Sequence, residues 1–291
     1  MADYAGAAFI PVDKHDIYPA IDPANANISG QVVVVTGASK GIGRAIAVAM
    51  AQGGASGLVL LARSSLDATK AECLAAQHPG QALQVLALQL DIVDSAQVAA
   101  AAKQVEETFG RVDVVVNDAG YLEQYNFLAD GETDEWWRAF EVNVRGTYLV
   151  TRALLPLLVR CGGARTIVNV TSAAAFGFLP RYSAYAVSKL AQLRLAEFID
   201  AEYSDKGVIA FSVHPGVIWT EMNTRLPPEF QAAPIFIDKP QLTAGTILWL
   251  VKERREWLSG RFVDCRWDVE ALLAKKQEIV DEDKLKVKLA I

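Results

Sequence analysis

Cysteine, histidine, positive charge and long apolar runs are all scarce in this chain, and each shortage removes a class of function. The three cysteines, Cys73, Cys161 and Cys265, are odd in number, far apart and without CxxC spacing, so neither a disulfide framework nor a cysteine zinc site is encoded. The three histidines, His15, His78 and His214, show no ligand spacing, and no metal is expected. A net charge of −6 lacks the basic footprint that sequence-independent nucleic-acid binding needs. The longest apolar helical stretch, 148–159, contains Arg152 and Pro156 and falls short of the ~20 residues of a membrane span. The first thirty residues scatter Asp3, Asp13, Lys14, Asp16 and Asp22 among prolines, so they hold no signal-peptide apolar region. A cytoplasmic protein with neither nucleic acid nor membrane as partner is expected.

Hydrophobic residues make up 52% of the 291 and charged ones 21%, enough apolar mass for one large domain or two small ones. Short β-branched runs alternate with longer Ala-rich helical stretches, the pattern of repeated βα units around a parallel sheet. Strands are expected at 32–35, 58–62, 83–88, 112–116, 166–170 and 209–213, with a weaker seventh at 261–265. Their nearly continuous apolar character suits strands covered on both faces. Helices are expected at 43–52, 66–76, 95–109, 134–158 and 184–203. Residues 1–29 read as an irregular leader, 217–240 as a proline-rich lid and 266–291 as a charged helical tail; an irregular stretch as long as the lid is usually functional.

Thr36-Gly37-Ala38-Ser39-Lys40-Gly41-Ile42-Gly43 joins the first strand to the first helix. Its glycines let a diphosphate approach backbone N–H groups at a helix N-terminus, although three glycines there could also serve the turn alone. The second strand ends in Ala62-Arg63, where an acid would normally receive the adenosine ribose hydroxyls of NAD. Arg63 and Lys40 instead offer cations to a 2′-phosphate, favouring NADP(H) over NAD(H); the bland alternative is two solvated surface charges.

Tyr185 and Lys189 stand four apart and therefore share one helix face. A phenol of pKa near 10 is a poor acid–base group at neutral pH until a cation stabilises its anion, and Lys189 is placed to depress it. Ser172 follows the strand at 166–170, at the strand end where open parallel sheets bind ligands. Tyr182 has no lysine four residues on and reads as a pocket wall. Cys161, at a helix end, reads as a bystander thiol, and His214 as a partner for backbone groups.

From about Gly30 to Asp264 the chain resembles the short-chain dehydrogenase/reductase family, of NADP(H)-preferring type. Thr36 to Gly43 matches its TGxxxGxG motif and Asn117-Asp118-Ala119-Gly120 its NNAG motif, with Asp118 in place of Asn. Asn143-Val144-Arg145-Gly146 carries the matching asparagine, and His214-Pro215-Gly216 with Thr220 resembles the PG motif. The resemblance implies a single doubly wound α/β (Rossmann) domain over 30–265, a parallel seven-stranded sheet with helices on both faces. It implies a catalytic set of Asn143, Ser172, Tyr185 and Lys189. It also implies cofactor contacts from Gly37, Ser39, Lys40, Gly41, Ile42, Gly43, Arg63, Asp91 (to the adenine), Asn117, Ala119 and Gly120. Tyr185, Lys189, Pro215, Gly216 and Thr220 complete that set. The Asp118 departure is expected to act on the adenosine side of the cofactor, weakening binding if its charge faces the phosphates.

The implied reaction is hydride transfer between nicotinamide and a carbonyl or secondary alcohol, with Tyr185 moving the proton, Ser172 orienting the oxygen and Asn143 holding a water that relays protons to Lys189. Tyr121, Leu122, Phe176, Phe178, Leu179, Tyr182, Ile218, Trp219 and Met222 favour a hydrophobic or aromatic substrate, with Tyr121, Phe178, Tyr182 and Trp219 as its pocket, though such aromatics can equally pack the lid itself. A homodimer or homotetramer is implied through the helices at 134–158 and 184–203. Two other readings share these residues: a redox-inactive NADP(H)-binding scaffold or regulator, and a dehydratase or isomerase on the same fold.

Overall fold

All seven apolar runs form strands in the computed structural model, which describes residues 8–178 and 180–289. Leu179, the first seven leader residues and the last two tail residues lie outside the described residues. The strands are β1 (Val32–Thr36), β2 (Gly57–Ala62), β3 (Gln84–Gln89), β4 (Val114–Asn117), β5 (Thr166–Val170), β6 (Ile209–His214) and β7 (Arg261–Asp264). They pair in the order β3-β2-β1-β4-β5-β6-β7, every neighbour parallel. Chain direction across the sheet reverses between β1 and β4, and ligands of such sheets bind beyond the strand ends at that crevice.

The helices are α1 (Gly41–Gln52), α2 (Asp67–Ala75), α3 (Ser95–Phe109), α4 (Thr133–Phe140), α5 (Thr147–Arg160), α6 (Ser183–Tyr203), α7 (Pro228–Gln231), α8 (Pro240–Lys252), α9 (Val269–Ala274) and α10 (Lys276–Asp281). Alternate strand residues feed two cores, because successive side chains of a strand point to opposite faces. Val33, Val35, Leu58 and Leu60 join α1 and α8 on one side. Val32, Val34, Val59 and Leu61 join α3, α5 and α6 on the other. β3, the outermost strand, is only partly buried, unlike the doubly covered strand its apolar run suggests.

Three features depart from the sequence reading. The single helix expected over 134–158 is interrupted by a π-helical turn, Glu141–Gly146. A helix that periodicity does not announce, α8, buries every residue from Leu242 to Val251. The irregular leader also belongs to the core: Ile10, Ile21 and Ile28 are buried, Val12 pairs with Trp267 in an antiparallel bridge, and the Tyr18 hydroxyl accepts the Val269 N–H at 2.9 Å. Gly245 of α8 permits this seat, since a Cβ there would stand 2.6 Å from the Ile21 carbonyl oxygen.

Candidate active site

Above the ends of β1 and β4 opens a cavity of about 740 Å³, within the range of small-molecule and cofactor sites. Its floor is the glycine turn. Gly37 and Gly41 have φ of 69° and 57°, the left-handed region that favours glycine. Gly43 is excluded from carrying a side chain by proximity alone: its Cβ would lie 2.5 Å from the Gly37 carbonyl oxygen. α1 starts at Gly41 and points its unpaired N–H groups at the cavity, a ready anion site.

Ser39, Lys40, Gly41 and Ile42 line this space with Arg63 and Asp91, as do Ala119, Gly120, Pro215 and Thr220. Tyr185, Lys189 and Trp219 line it too. Gly43 and Gly216 instead support its wall, Gly216 at φ 102° with a Cβ position 2.6 Å from Asp238 Oδ2. The backbone cradle, the cationic rim and the volume together fit a dinucleotide.

Several expected roles need revision. Asn117 is buried and its amide donates to Thr151 Oγ1 at 3.1 Å and Asn169 Oδ1 at 3.0 Å, so it ties β4 to its neighbours and does not line the cavity. Lys40 is not a free cation, because its ammonium pairs with Glu221. Asp91 holds Arg138 at 3.2 Å. Among the described residues the His214 ring nitrogens have no hydrogen-bond partner, contrary to a backbone-satisfying role, and burial pushes its pKa down to about 4. The Asp118 carboxyl lies against the glycine turn, its Oδ2 3.2 Å from the place a Cβ would take on Gly37 and 2.7 Å from that on Gly43. Cys161 is half-buried at the end of α5, donating to the Leu158 carbonyl at 3.0 Å.

Ser172, Tyr185 and Lys189 converge. The Ser172 hydroxyl stands beside the Tyr185 phenol and accepts the Ala174 N–H at 3.1 Å. Lys189 Nζ lies 5.5 Å from the Tyr185 ring centroid and donates to the Val170 carbonyl at 2.8 Å. The depression of the phenol expected from Lys189 is not delivered by the protein's own groups. Burial pushes Tyr185 up to about 12, with the Ser172 hydroxyl opposing. The same burial pushes Lys189 down to about 8, because a dry pocket penalises either charge.

Asn143, fully buried in the π-helical turn, grips a backbone with both ends of its amide. Its Oδ1 accepts the Tyr121 N–H at 2.8 Å and its Nδ2 donates to the Tyr121 carbonyl at 2.9 Å and to Ser188 Oγ at 2.9 Å. Two residues on, Glu123 completes a bracket that sequence reasoning missed. Its buried carboxylate accepts the N–H groups of Ala184 and Tyr185 at 2.9 and 3.0 Å, capping α6, whose own N-cap residue Tyr182 supplies no side-chain bond. Burial raises the Glu123 pKa. No local signal marked it, because the amides it caps lie 61 and 62 residues on.

The aromatic residues expected to wall a substrate pocket divide. Trp219 borders the cavity, packed edge-on against Phe236 at 5.1 Å. The Tyr121 hydroxyl donates to Glu135 at 2.7 Å, and Arg225 covers the Tyr121 ring while pairing with the same carboxylate at 3.0 Å. Tyr182 packs on Tyr125, which packs on Phe230. Phe178 is 91% exposed and does not line the cavity. Among the described residues no helix is long and apolar enough to cross a membrane.

Comparison with known proteins converges on one family. The profile of the short chain dehydrogenase family matches residues 31–230. The short chain dehydrogenase mpl6 of Monascus purpureus is 48% identical over 291 residues, covering 99% of this chain and 98% of that protein. Among solved structures, a Shigella flexneri 2a strain 301 short chain dehydrogenase complexed with NADP superposes with a TM-score of 0.73 at 26% identity, over 84% of this chain and 99% of that one. The 3-oxoacyl-[acyl-carrier protein] reductase of Brucella melitensis, in complex with NAD, shares the fold with a TM-score of 0.73 at 22% identity, over 81% and 95% of the two chains.

Proposed function

Since the chain belongs to the short-chain dehydrogenase family, we propose that it is an NADP(H)-dependent oxidoreductase that interconverts a carbonyl and a secondary alcohol on a hydrophobic or aromatic small molecule, with reduction the cellular direction. The observation that carries this reading is the pair Tyr185 and Lys189 lining a dinucleotide-sized cavity, with Ser172 beside Tyr185. A scaffold would need none of these three together.

A bound nicotinamide dinucleotide supplies the hydride donor or acceptor. Arg63, open at the end of β2 where NAD-binding chains carry an acid, receives a 2′-phosphate with Ser39 and Ser64, whose hydroxyls are hydrogen-bonded at 2.9 Å. Lys40 joins them at small cost, because its pair with Glu221 is exposed, with side chains 61% and 68% accessible, and exposed pairs are worth only ~0–1 kcal/mol. The glycine turn and the start of α1 hold the diphosphate.

Ser172 orients the substrate oxygen and Tyr185 gives it a proton during reduction. A phenol held high by burial is fully protonated at neutral pH and ready to donate; the phenolate left behind is stabilised by the Ser172 hydrogen bond and the Lys189 ammonium. Asn143 acts by holding the 121–123 segment that positions Tyr185. Trp137, Tyr148, Val187 and Phe198 of α4, α5 and α6 stay exposed, which supports the homo-oligomer as part of this proposal.

The test follows NADPH absorbance over a panel of ketones, aldehydes and quinones, wild type against Tyr185→Phe. Wild-type oxidation of NADPH with its loss in the variant, NADPH binding being retained by both, is the expected result. Binding without turnover on any panel member would move the assignment to a scaffold or a non-redox lyase or isomerase, and near-normal turnover in Tyr185→Phe would remove the tyrosine from the mechanism.

A further inference from the structure

The dinucleotide reading leaves one group in the cavity without a task, the carboxyl of Asp118, at a position where the resembling motif carries an amide. Its Oδ2 lies 2.7 Å from the place a Cβ would occupy on Gly43 and 3.2 Å from that on Gly37, so it is wedged between two glycines of the turn. It stands within reach of the Gly43 N–H, one of the amides at the start of α1, and the residue lines the cavity. The Asp118 backbone N–H is fixed by the Thr36 hydroxyl at 3.0 Å, which also takes the Ala119 N–H at 3.0 Å, so the side chain starts from a rigid stem.

The charged and titratable groups facing the carboxyl are Lys189 and Tyr185, both of α6. β1 contributes the neutral Thr36 hydroxyl and α1 the Gly43 N–H. Lys189 does not neutralise it outright: its ammonium is committed to the Val170 carbonyl. A diphosphate seated at this turn would bring two further negative charges to a partly dry cavity that already holds a carboxylate, where like charges are poorly screened. A neutral carboxyl avoids that repulsion. It can still accept the Gly43 N–H through one oxygen and gains an O–H donor on the other.

Resting on the dinucleotide reading above, we propose that the protein binds its dinucleotide with Asp118 protonated, so that binding takes up a proton from solvent and weakens as pH rises. Burial already pushes the Asp118 pKa up to about 7, so the free protein is divided between both forms near neutrality and a second anion tips the balance. The asparagine of the family motif has no proton to exchange and gives no such coupling. Asp118 thus makes cofactor occupancy responsive to pH.

The test is direct binding of NADPH and of NADH, by ligand fluorescence and by calorimetry, between about pH 6 and 9. NADH is included because it lacks the 2′-phosphate, a group that itself titrates near 6. For both ligands Kd is expected to rise above pH 7, approaching about tenfold per pH unit. Calorimetry near pH 7.5 in two buffers of different ionisation enthalpy should report an uptake of roughly half to one proton in the wild type. In Asp118→Asn the slope below pH 8 and the proton uptake should both vanish. Wild-type binding with no net proton uptake would overturn the proposal, even if the variant does not fold. So would an Asp118→Asn protein that keeps the wild-type slope, which would give the titration to Lys189. Failure of either dinucleotide to bind the wild type at any pH would bring down the dinucleotide reading itself, a result readily told apart from pH-independent binding.

Discussion

Replacing Glu123 by alanine removes the acceptor for two amides at once. The N–H groups of Ala184 and Tyr185 reach this carboxylate at 2.9 and 3.0 Å, Ala184 is fully buried and Glu123 is 5% exposed, so water has no easy route to replace it. Each orphaned buried donor costs about 1–3 kcal/mol, against which stands the burial cost of a carboxylate that no longer has to be met. A net loss of about 3 kcal/mol is expected for Glu123→Ala, and about half that for Glu123→Gln, whose single carbonyl oxygen keeps one bond. Urea unfolding midpoints at constant slope measure both. The pH dependence carries a sign. Because burial raises the Glu123 pKa, its stabilising contribution is complete below the ordinary value and falls as pH rises through the raised one. The advantage of wild type over Glu123→Gln should therefore shrink from about pH 4.5 towards neutrality. In activity, the freed start of α6 shifts Tyr185 against Ser172 and lowers kcat by about tenfold or more, with dinucleotide Kd nearly unchanged. A Glu123→Ala stability within about 0.5 kcal/mol of wild type would refute the bracket, whereas an advantage that widens with pH would mean that the two N–H bonds outweigh burial in setting the Glu123 pKa.

Three further outcomes are expected. Arg63→Asp removes a cation at the end of β2 and installs the acid that receives ribose hydroxyls, so NADPH/NADH selectivity should fall about 10–100-fold; unchanged selectivity in paired Kd measurements removes Arg63 from cofactor choice. In Gly43→Ala the new Cβ meets the Gly37 carbonyl oxygen at 2.5 Å, and opening the turn to relieve about 1–3 kcal/mol of overpacking should weaken either dinucleotide at least about tenfold, as read by fluorescence titration. Ile10→Ala, at a leader residue 1% exposed, should cost about 2–5 kcal/mol in thermal or urea unfolding, whereas a value near zero would make the leader an appendage.

Much of this fold can be read from its sequence because burial on both faces strips polar residues from strands, leaving runs such as Val32 to Val35 that are hard to mistake. The same stripping hid α8. Ten consecutive buried positions leave no polar face, so no 3.6-residue alternation marks it. The π-helical turn was hidden differently, since its one-residue widening is set by packing around Asn143 and Gly146. Gly146 would put a Cβ 2.6 Å from Ile92, a contact between segments far apart in the chain. In the site, spacing along one helix was enough to pair Tyr185 with Lys189. The direction of the Tyr185 shift was not legible, because it depends on how dry the pocket is. Glu123 escaped because its partners lie 61 and 62 residues away.

The leader's seat has a consequence for how the chain matures on the ribosome. Tyr18 is made 251 positions before its partner Val269, and Ile21 and Val12 likewise precede by far the α8 and Trp267 against which they lie. At about 5–20 residues per second, Ile10 and Ile21 wait roughly 10–50 s before the surface that covers them exists. Strands β1 to β6 can pair while the leader still hangs free. The leader's cover is made only with α8 and the residues after it, so a chain truncated before α8 is expected to leave Ile10 and Ile21 without the partners that bury them.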